Sequence, residues 1–210
     1  MLREIRKQYA LATLLEADVE KSAIDQFKKW LSDALNSDEP EPTAMVVTTV
    51  DAHGQPHGRV VLLKDVDAHG LVFYTNYNSN KAQQLSNNPK VSILFFWERL
   101  ERQVRITGMA EKVAIHQSES YFKSRPAESK IGAYASPQSS VIPNRQFLID
   151  KVAEVKAEFG ENVPKPVHWG GYVVKPVTVE FWQGRPDRLH DRIKYALNSD
   201  HEWEFCRLAP

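Results

Sequence analysis

The feature that most constrains the fold is a change of hydrophobic period near residue 43. Before it, apolar residues recur at helical spacing; after it, β-branched and aromatic runs follow one another without long helices between most of them. The runs are AMVVTTV (44–50), RVVLLK (59–64), LVFYT (71–75), VSILFFW (91–97) and QVRITGMAEKV (103–113). Because parallel strands need long crossover connections, this order favours a closed β-barrel over a βαβ sheet. The predicted fold class is mainly β with flanking helices (α+β).

Local signals suggest how these runs are connected. The turn-like segments DAHGQPHG and DAHG predict hairpins at Asp51–Gly54 and Asp67–Gly70, so the first three runs are interpreted as an antiparallel meander. The segment SNKAQQLSNNP then predicts a short helix capped by Ser79. Helical character returns from about residue 115 to 159, and strand character from residue 169 onward.

The chain is predicted to form a single domain behind an N-terminal arm. Its 210 residues suit one domain, which we assign to residues 17–210. An amphipathic helix is expected at the start of this domain, over residues 18–36. Residues 1–16 mix basic and apolar side chains, which is compatible with a mobile arm or a short helix.

Composition narrows the possible partners and the compartment. The formal net charge is +0, so no overall field attracts nucleic acid or a membrane surface. Cys206 is the one cysteine, which excludes an intrachain disulfide and a metal site built on cysteines. Neither a signal peptide nor a membrane-spanning run is recognisable. We therefore expect a cytoplasmic protein without a metal, a nucleic-acid partner or a membrane partner.

The candidate site residues are cations placed beside aromatic and hydroxyl side chains. Neither glycine-based phosphate motif is present, so a phosphorylated ligand would need clusters of Arg and Lys. Four groups qualify: Arg59 with Lys64; Tyr74 and Thr75 with Lys81; Tyr121, Arg125 and Ser129; and Arg188, His190 and Arg192, which alternate in an apparently extended segment. Taken singly, each cation is better read as a solvated charge at a strand edge.

Taken together, these segments resemble the pyridoxine/pyridoxamine 5′-phosphate oxidase family nearly end to end. The matching segments, in the family's order, are PTAMVVTTVDAHGQPHGRVVLLK (42–64), VFYTNYNSNKAQQLSNNPKVSILFFW (72–97), LERQVRITGMAEK (100–112), SESYFKSRPAESKIGAYASPQSS (118–140), HWGGYVVKPVTVEFWQGRPDRLHDR (168–192) and RLAP (207–210). The resemblance implies a split β-barrel that binds flavin mononucleotide (FMN) at the interface of a homodimer.

The resemblance also implies a set of site residues. FMN contacts would fall on Arg59, Val60, Val61, Leu62, Leu63, Lys64, Tyr74, Thr75, Asn80, Lys81, Gln103, Gln138, Ser139, Trp182 and Arg192. Substrate contacts would fall on Lys64, Tyr121, Arg125, Ser129, Arg188 and His190, with Arg6 and Tyr9 from an arm that closes over the substrate. Arg188 and His190 would lie beside the reacting carbon as the catalytic pair. Asn80 stands where the family often has arginine, so one FMN phosphate contact could be neutral or missing.

The implied reaction oxidises pyridoxine or pyridoxamine 5′-phosphate at the 4′ carbon to give pyridoxal 5′-phosphate. A hydride passes to FMN, and O₂ reoxidises the flavin with release of H₂O₂; the amine substrate also yields NH₃. Three alternatives stay open from the sequence: another flavin oxidoreductase on the same barrel, a non-enzymatic carrier of flavin or pyridoxal phosphate, and a strand-rich module without a ligand.

Overall fold

The computed structural model describes residues 2–4 and 7–210 as a strand-rich sheet with helices against it. The helices are α1 (Ala23–Leu35), α2 (Asn80–Asn87), α3 (Ile115–Ser124), α4 (Ala127–Ala135) and α5 (Arg145–Phe159). The strands are β1 (Ala44–Val50), β2 (Pro56–Leu62), β3 (Asp65–Val66), β4 (Leu71–Asn76), β5 (Lys90–Trp97), β6 (Arg102–Lys112), β7 (Trp169–Gln183), β8 (Asp191–Leu197) and β9 (Trp203–Arg207). The predicted fold class is confirmed.

The sheet curls because its two ends are joined by a short connection. The strands pair in the order β2-β1-β5-β6-β7-β4-β3, so β2 and β3 lie at opposite ends although they are consecutive in the chain. Only Leu63 and Lys64 link them, and these residues bond to both ends: the Leu63 N–H donates to Thr43 O (2.9 Å) and the Lys64 N–H to Val72 O (2.8 Å). The sheet must therefore bend round towards itself.

This order corrects the predicted meander. Both hairpins form, since β1 pairs with β2 and β3 pairs with β4. However, β4 pairs with β7 and not with β2. The reason is that β7 spans fifteen residues and offers a long antiparallel edge, along which β4 takes the first half and β8 the second.

Helix α1 packs against strands β5 and β7 of the curled sheet. Its first turn is capped by the Ser22 hydroxyl, which accepts from the backbone N–H groups of Ile24 and Asp25. Its apolar face buries Phe27 against Phe95 and Trp30 against Phe181, each at 5.1 Å between ring centres. The helix is shorter than the predicted 18–36, because residues 16–18 form a separate 3₁₀ turn.

Helices α3, α4 and α5 form a second layer beside the N-terminal half of β7. A small apolar cluster of Ile131, Ala135, Val155 and Val163 holds α4 against α5. Among the described residues, no helix is both long and apolar enough to cross a bilayer. The second layer matters for function because α3 and α4 form one wall of the candidate active site.

Candidate active site

A cavity of about 830 Å³ opens between the edge strand β2, strand β4 and helices α2 to α4. Most of the predicted cofactor residues and the predicted phosphate anchor line it. The lining comprises Arg59, Val60, Val61, Leu62, Lys64, Tyr74, Thr75, Asn76, Asn80, Lys81, Tyr121, Arg125, Ser129, Gly132, Ala133, Ser136, Gln138, Ser139 and Trp169. Residues from five separate stretches of sequence therefore meet in one place.

Arg59 and Lys81 form the first cationic group of this cavity. The Arg59 guanidinium donates to Val47 O (3.2 Å) and Thr49 Oγ1 (2.6 Å). The buried Lys81 ammonium donates to Thr75 Oγ1 (3.0 Å) and Gln138 Oε1 (3.2 Å). Burial, with the positive charge of Arg59, lowers the pKa of Lys81 to about 8. Both cations thus face neutral acceptors, and an anion bound between them would offset their desolvation.

Arg125 is the centre of the second cationic group. It lies between α3 and α4, where Pro126 separates the two helices. Its Nη1 is buried and has no hydrogen-bond partner among the described residues, and burial lowers the pKa of Arg125. A buried donor without a partner is costly, so this atom is available to a ligand acceptor that enters the cavity.

Stacked aromatic rings fix the wall around Arg125. Tyr121 stacks on Tyr74 with ring centres 4.0 Å apart, and Tyr74 stacks on Trp169 at 5.4 Å. Gly171 pairs with Tyr74 across the sheet, and a Cβ there would lie 2.8 Å from the Tyr74 ring. The glycine therefore allows the Tyr74 ring to lie close against β7.

Among the described residues, no carboxylate pairs with the cations of this cavity. Within the described part of the chain, the cavity lining contains no Asp or Glu, and no ion pair includes Arg59, Lys64, Lys81 or Arg125. Four cations around one cavity create a strongly positive local field despite the neutral chain. The site is suited to ligands that carry phosphate or carboxylate groups.

The predicted catalytic pair lies in a second cavity, of about 570 Å³, together with Tyr9. His190 contacts the rings of Trp182 (4.5 Å) and Tyr9 (6.0 Å). Its Nδ1 accepts the backbone N–H of Arg185 at 3.1 Å. Burial, and then the charge of Arg188, lower the pKa of His190 below its ordinary 6.5.

The expectation that Arg188, His190 and Arg192 share one face of an extended segment is wrong. Arg188 belongs to a 3₁₀ turn (Pro186–Arg188) and has a φ of 63°, and β8 starts only at Asp191. The positive φ breaks the alternation that an extended chain would have. Arg188 and His190 still meet in one cavity, whereas Arg192 pairs with Glu180 at 3.0 Å.

The two cavities share no lining residue among those described. Trp169 lines the first, and Trp182 touches His190 beside the second; they lie near opposite ends of β7, about 40 Å apart along the strand. Gln103, Trp182 and Arg192 are neighbours across β6, β7 and β8 at the second end. In the described part of one chain, these three residues therefore do not line the first cavity.

Five predicted residues are not found in the lining of either cavity. Leu63 is buried in the core and does not line the first cavity. Arg6 lies outside the described residues. Gln103, Trp182 and Arg192 line neither cavity in the described part of the chain, and the other predicted residues divide between the two.

Comparison with known proteins identifies the family. The model described as pyridoxamine 5′-phosphate oxidase matches residues 31–159, and the model described as the pyridoxine 5′-phosphate oxidase C-terminal dimerisation region matches residues 169–210. The chain belongs to the pyridoxamine 5′-phosphate oxidase family. The resemblance predicted from the sequence motifs is thereby confirmed, and the matched dimerisation region supports assembly as a homodimer.

Individual relatives of this family cover the whole chain. The pyridoxine/pyridoxamine 5′-phosphate oxidases of Cupriavidus pinatubonensis and Thermosynechococcus vestitus are each 49% identical over 209 residues, which is 100% of this chain and 99% of each relative. The crystal structure of PhzG from Burkholderia lata 383, in complex with tetrahydrophenazine-1-carboxylic acid, is similar with a TM-score of 0.90. Its identity is 28%, over 96% of this chain and 100% of PhzG.

Trp169 and Asn76 line the first cavity beside predicted residues, although neither was predicted as a site residue from the sequence. The adjacent glycines of HWGG signal only that another group approaches this part of the strand, and not that Trp169 lines a site. Here a Cβ at Gly170 would lie 2.2 Å from the Tyr77 hydroxyl. Asn80 lies at the start of α2 on the cavity wall and adds no charge there.

Proposed function

We propose that this chain is a cytoplasmic, FMN-dependent oxidase that converts pyridoxine 5′-phosphate or pyridoxamine 5′-phosphate to pyridoxal 5′-phosphate, the last step in making this cofactor. The observation that carries the proposal is the first cavity, with four cations and no acid in its described lining. Two phosphorylated ligands, one cofactor and one substrate, would use two cationic groups. Relatives that are 49% identical over the full chain have the same named activity.

The first cationic group fits the FMN phosphate. Arg59 and Lys81 are held by neutral acceptors alone, so a dianion would gain charge-assisted hydrogen bonds from both. Within the described residues, strand β2 pairs with β1 alone, so backbone groups along Val60–Leu62 remain available to a flat heterocycle. We assign the flavin ring to this edge and its phosphate to Arg59 and Lys81, with Thr75, Gln138 and Ser139 beside it.

The second cationic group fits the substrate phosphate. Arg125 offers a free buried donor, and Lys64, Tyr121 and Ser129 line the same cavity. Anchoring the phosphate there would hold the pyridine ring over the flavin edge and reduce the entropic part of the barrier.

The chemistry supplied by the flavin, when bound, is acceptance of a hydride from the substrate 4′ carbon and return of the electrons to O₂ as H₂O₂. The chain's own contribution at the reacting carbon would come from Arg188 and His190. Since His190 Nδ1 already accepts a backbone N–H, the neutral ring carries its proton on Nε2. His190 would therefore orient the substrate by donating a hydrogen bond, and Arg188 would steer the substrate and balance the negative charge that is gained where the hydride is accepted.

The proposed site needs two copies of the chain. Arg188, His190, Trp182 and Arg192 lie at the far end of β7 from Arg125 and Lys81. In a two-fold homodimer, this end of one protomer can complete the first cavity of its partner. We propose that FMN lies at that interface and that each of two equivalent sites draws on both protomers.

An absorbance spectrum of the purified protein tests the proposal. Flavin bands that bleach on anaerobic addition of pyridoxine 5′-phosphate and return with air, with H₂O₂ and pyridoxal 5′-phosphate as products, are expected. Flavin bands that do not respond to either substrate would instead indicate another flavin oxidoreductase or a carrier. A colourless protein that does not take up added FMN would overturn the proposal.

A further inference from the structure

We propose that Glu101 is a positioning residue for the substrate pocket: its carboxylate holds the N-terminal segment so that Tyr9 is seated against His190. The inference rests on the proposed function, since it assigns a role in substrate binding to a side chain outside the set derived above. Glu101 ends the turn between β5 and β6 and contacts neither cavity directly.

The carboxylate of Glu101 is committed to the backbone of the N-terminal segment. Its Oε2 accepts the N–H of Ala10 at 2.8 Å and that of Leu11 at 3.0 Å. Glu101 is 8% exposed, and no ion pair includes it within residues 2–4 and 7–210. Burying a carboxylate without a cation is costly unless hydrogen bonds satisfy it, so these two bonds matter to both partners.

Glu101 is itself fixed to the end of β7. Its carbonyl oxygen accepts the N–H of Gly184 at 2.7 Å and the side-chain amide of Gln183 at 3.2 Å. Trp182, which precedes these residues, is the ring on which His190 packs. The carboxylate therefore has a defined position relative to the second cavity.

Tyr9 immediately precedes the two backbone groups that Glu101 holds. Its ring meets Trp182 edge-on at 5.6 Å between centres and lies 6.0 Å from His190. Gly184 allows this approach, because a Cβ there would lie 2.6 Å from the Tyr9 Cβ. Two hydrogen bonds at residues 10 and 11 thus determine where the Tyr9 side chain lines the pocket.

Other contacts hold the segment on both sides of residues 10 and 11. Before them, the exposed pair of Lys7 Nζ with Glu98 Oε1 spans 3.9 Å, which makes it a weak restraint. Arg185 donates to Ala12 O (3.1 Å), and the Leu14 N–H donates to Asp191 Oδ2 (3.1 Å). Arg207 Nε forms an ion pair with Glu16 Oε1 at 2.7 Å. These contacts remain when Glu101 is changed, so loss of its carboxylate would release Tyr9 while residues 12–16 stay in place.

The test is a double-mutant cycle on the FMN-loaded protein. Glu101→Ala and Tyr9→Ala are each expected to raise KM for the phosphorylated substrate about 10-fold, with kcat changed less, because binding contacts are lost. The double variant should be no worse than Tyr9→Ala alone, since Glu101 acts through Tyr9. Glu101→Gln, which keeps the shape with a weaker acceptor, should fall in between. Glu111→Ala, which removes an exposed carboxylate from the far end of β6, is the matched control and should behave as wild type.

A second readout does not depend on activity. Hydrogen exchange of the Ala10 and Leu11 amides should accelerate in Glu101→Ala and Glu101→Gln, but not in Glu111→Ala. Multiplicative effects of the two substitutions on KM, or unchanged exchange at residues 10 and 11, would overturn the proposal. A wild-type protein without oxidase activity would contradict the proposed function, and the exchange result would still decide whether Glu101 holds the segment.

Discussion

The guanidinium carbon of Arg125 lies 4.8 Å from the centre of the Trp169 ring. The indole packs on one side of the cation, and Nη1 is buried without an acceptor from the part of the chain that the structure describes. The Arg125 guanidinium is therefore held in one orientation before a ligand binds. The arrangement explains how a cation can be buried in a cavity wall and still be available to a phosphate.

Replacement of this side chain should weaken substrate binding more than turnover. Arg125→Ala is expected to raise KM for pyridoxine 5′-phosphate by about 10- to 100-fold with a smaller change in kcat, because a charge-assisted contact to the phosphate is lost. Steady-state kinetics with saturating FMN measure this. Lys123→Ala, which removes an exposed cation two residues away, is the control and should leave KM unchanged. If the KM of Arg125→Ala equals that of wild type, Arg125 is not part of the phosphate anchor.

Lys81 should make the stability of the FMN-free protein depend on pH in the alkaline range. Its pKa is about 8 in the folded chain and 10.5 ordinarily. Between these values the unfolded state binds more protons, so stability rises with pH. Relative to Lys81→Met, the FMN-free wild type should gain up to about 3 kcal/mol between pH 7 and 11. Denaturant unfolding at several pH values measures the difference.

The same substitution, Lys81→Met, should weaken the binding of FMN. A phosphate beside Lys81 stabilises the charged amine, so Lys81→Met should bind FMN more weakly, by about 10-fold or more. Fluorescence titration of the FMN-free protein gives the affinity. Lys90→Met, at an exposed site on β5, should retain wild-type affinity. If the stability difference between wild type and Lys81→Met does not change with pH, and FMN affinity is also unaltered, Lys81 is not a phosphate ligand.

Arg188 should influence both kcat and the acid limb of the pH profile of kcat/KM. Since the charge of Arg188 contributes to the lowered pKa of His190, removing it should raise that pKa. The acid limb of kcat/KM in Arg188→Gln is expected at higher pH than in wild type, and kcat should fall because stabilisation of the reacting centre is lost. A pH profile of both proteins tests this; an unmoved limb would mean that His190 does not govern it.

How far the sequence predicted the structure depended on whether the interactions are local. The hairpin between β1 and β2 was predicted correctly because Asp51–Gly54 carries its own turn signal. The neighbour of β4 was not, since the pairing of Tyr74 with Gly171 joins residues almost a hundred positions apart. Such pairing is decided by the packing of the whole sheet, which no local pattern records.

The candidate site shows the same limit. Cations beside aromatic residues could be named from their motifs, and the structure brings Arg59, Lys81 and Arg125 to one cavity. The turn at Asp187 and Arg188 could not be predicted from the sequence, because two successive non-glycine residues with positive φ have no clear sequence signal. Glu101 was also missed, since its partners are backbone amides whose positions depend on the fold.

Subunit complementation should show whether each site is shared between protomers. Arg125→Ala disables the first cavity and Arg188→Ala the second, so each homodimer should be weakly active at low substrate. A heterodimer of the two variants, isolated with two affinity tags, would contain one site with both groups intact and one site with neither. About half of the wild-type kcat/KM per dimer is therefore expected. If each site lay within one chain, the heterodimer would show only the mean of the two variants. A heterodimer of two differently tagged wild-type chains, taken through the same isolation, sets the reference activity.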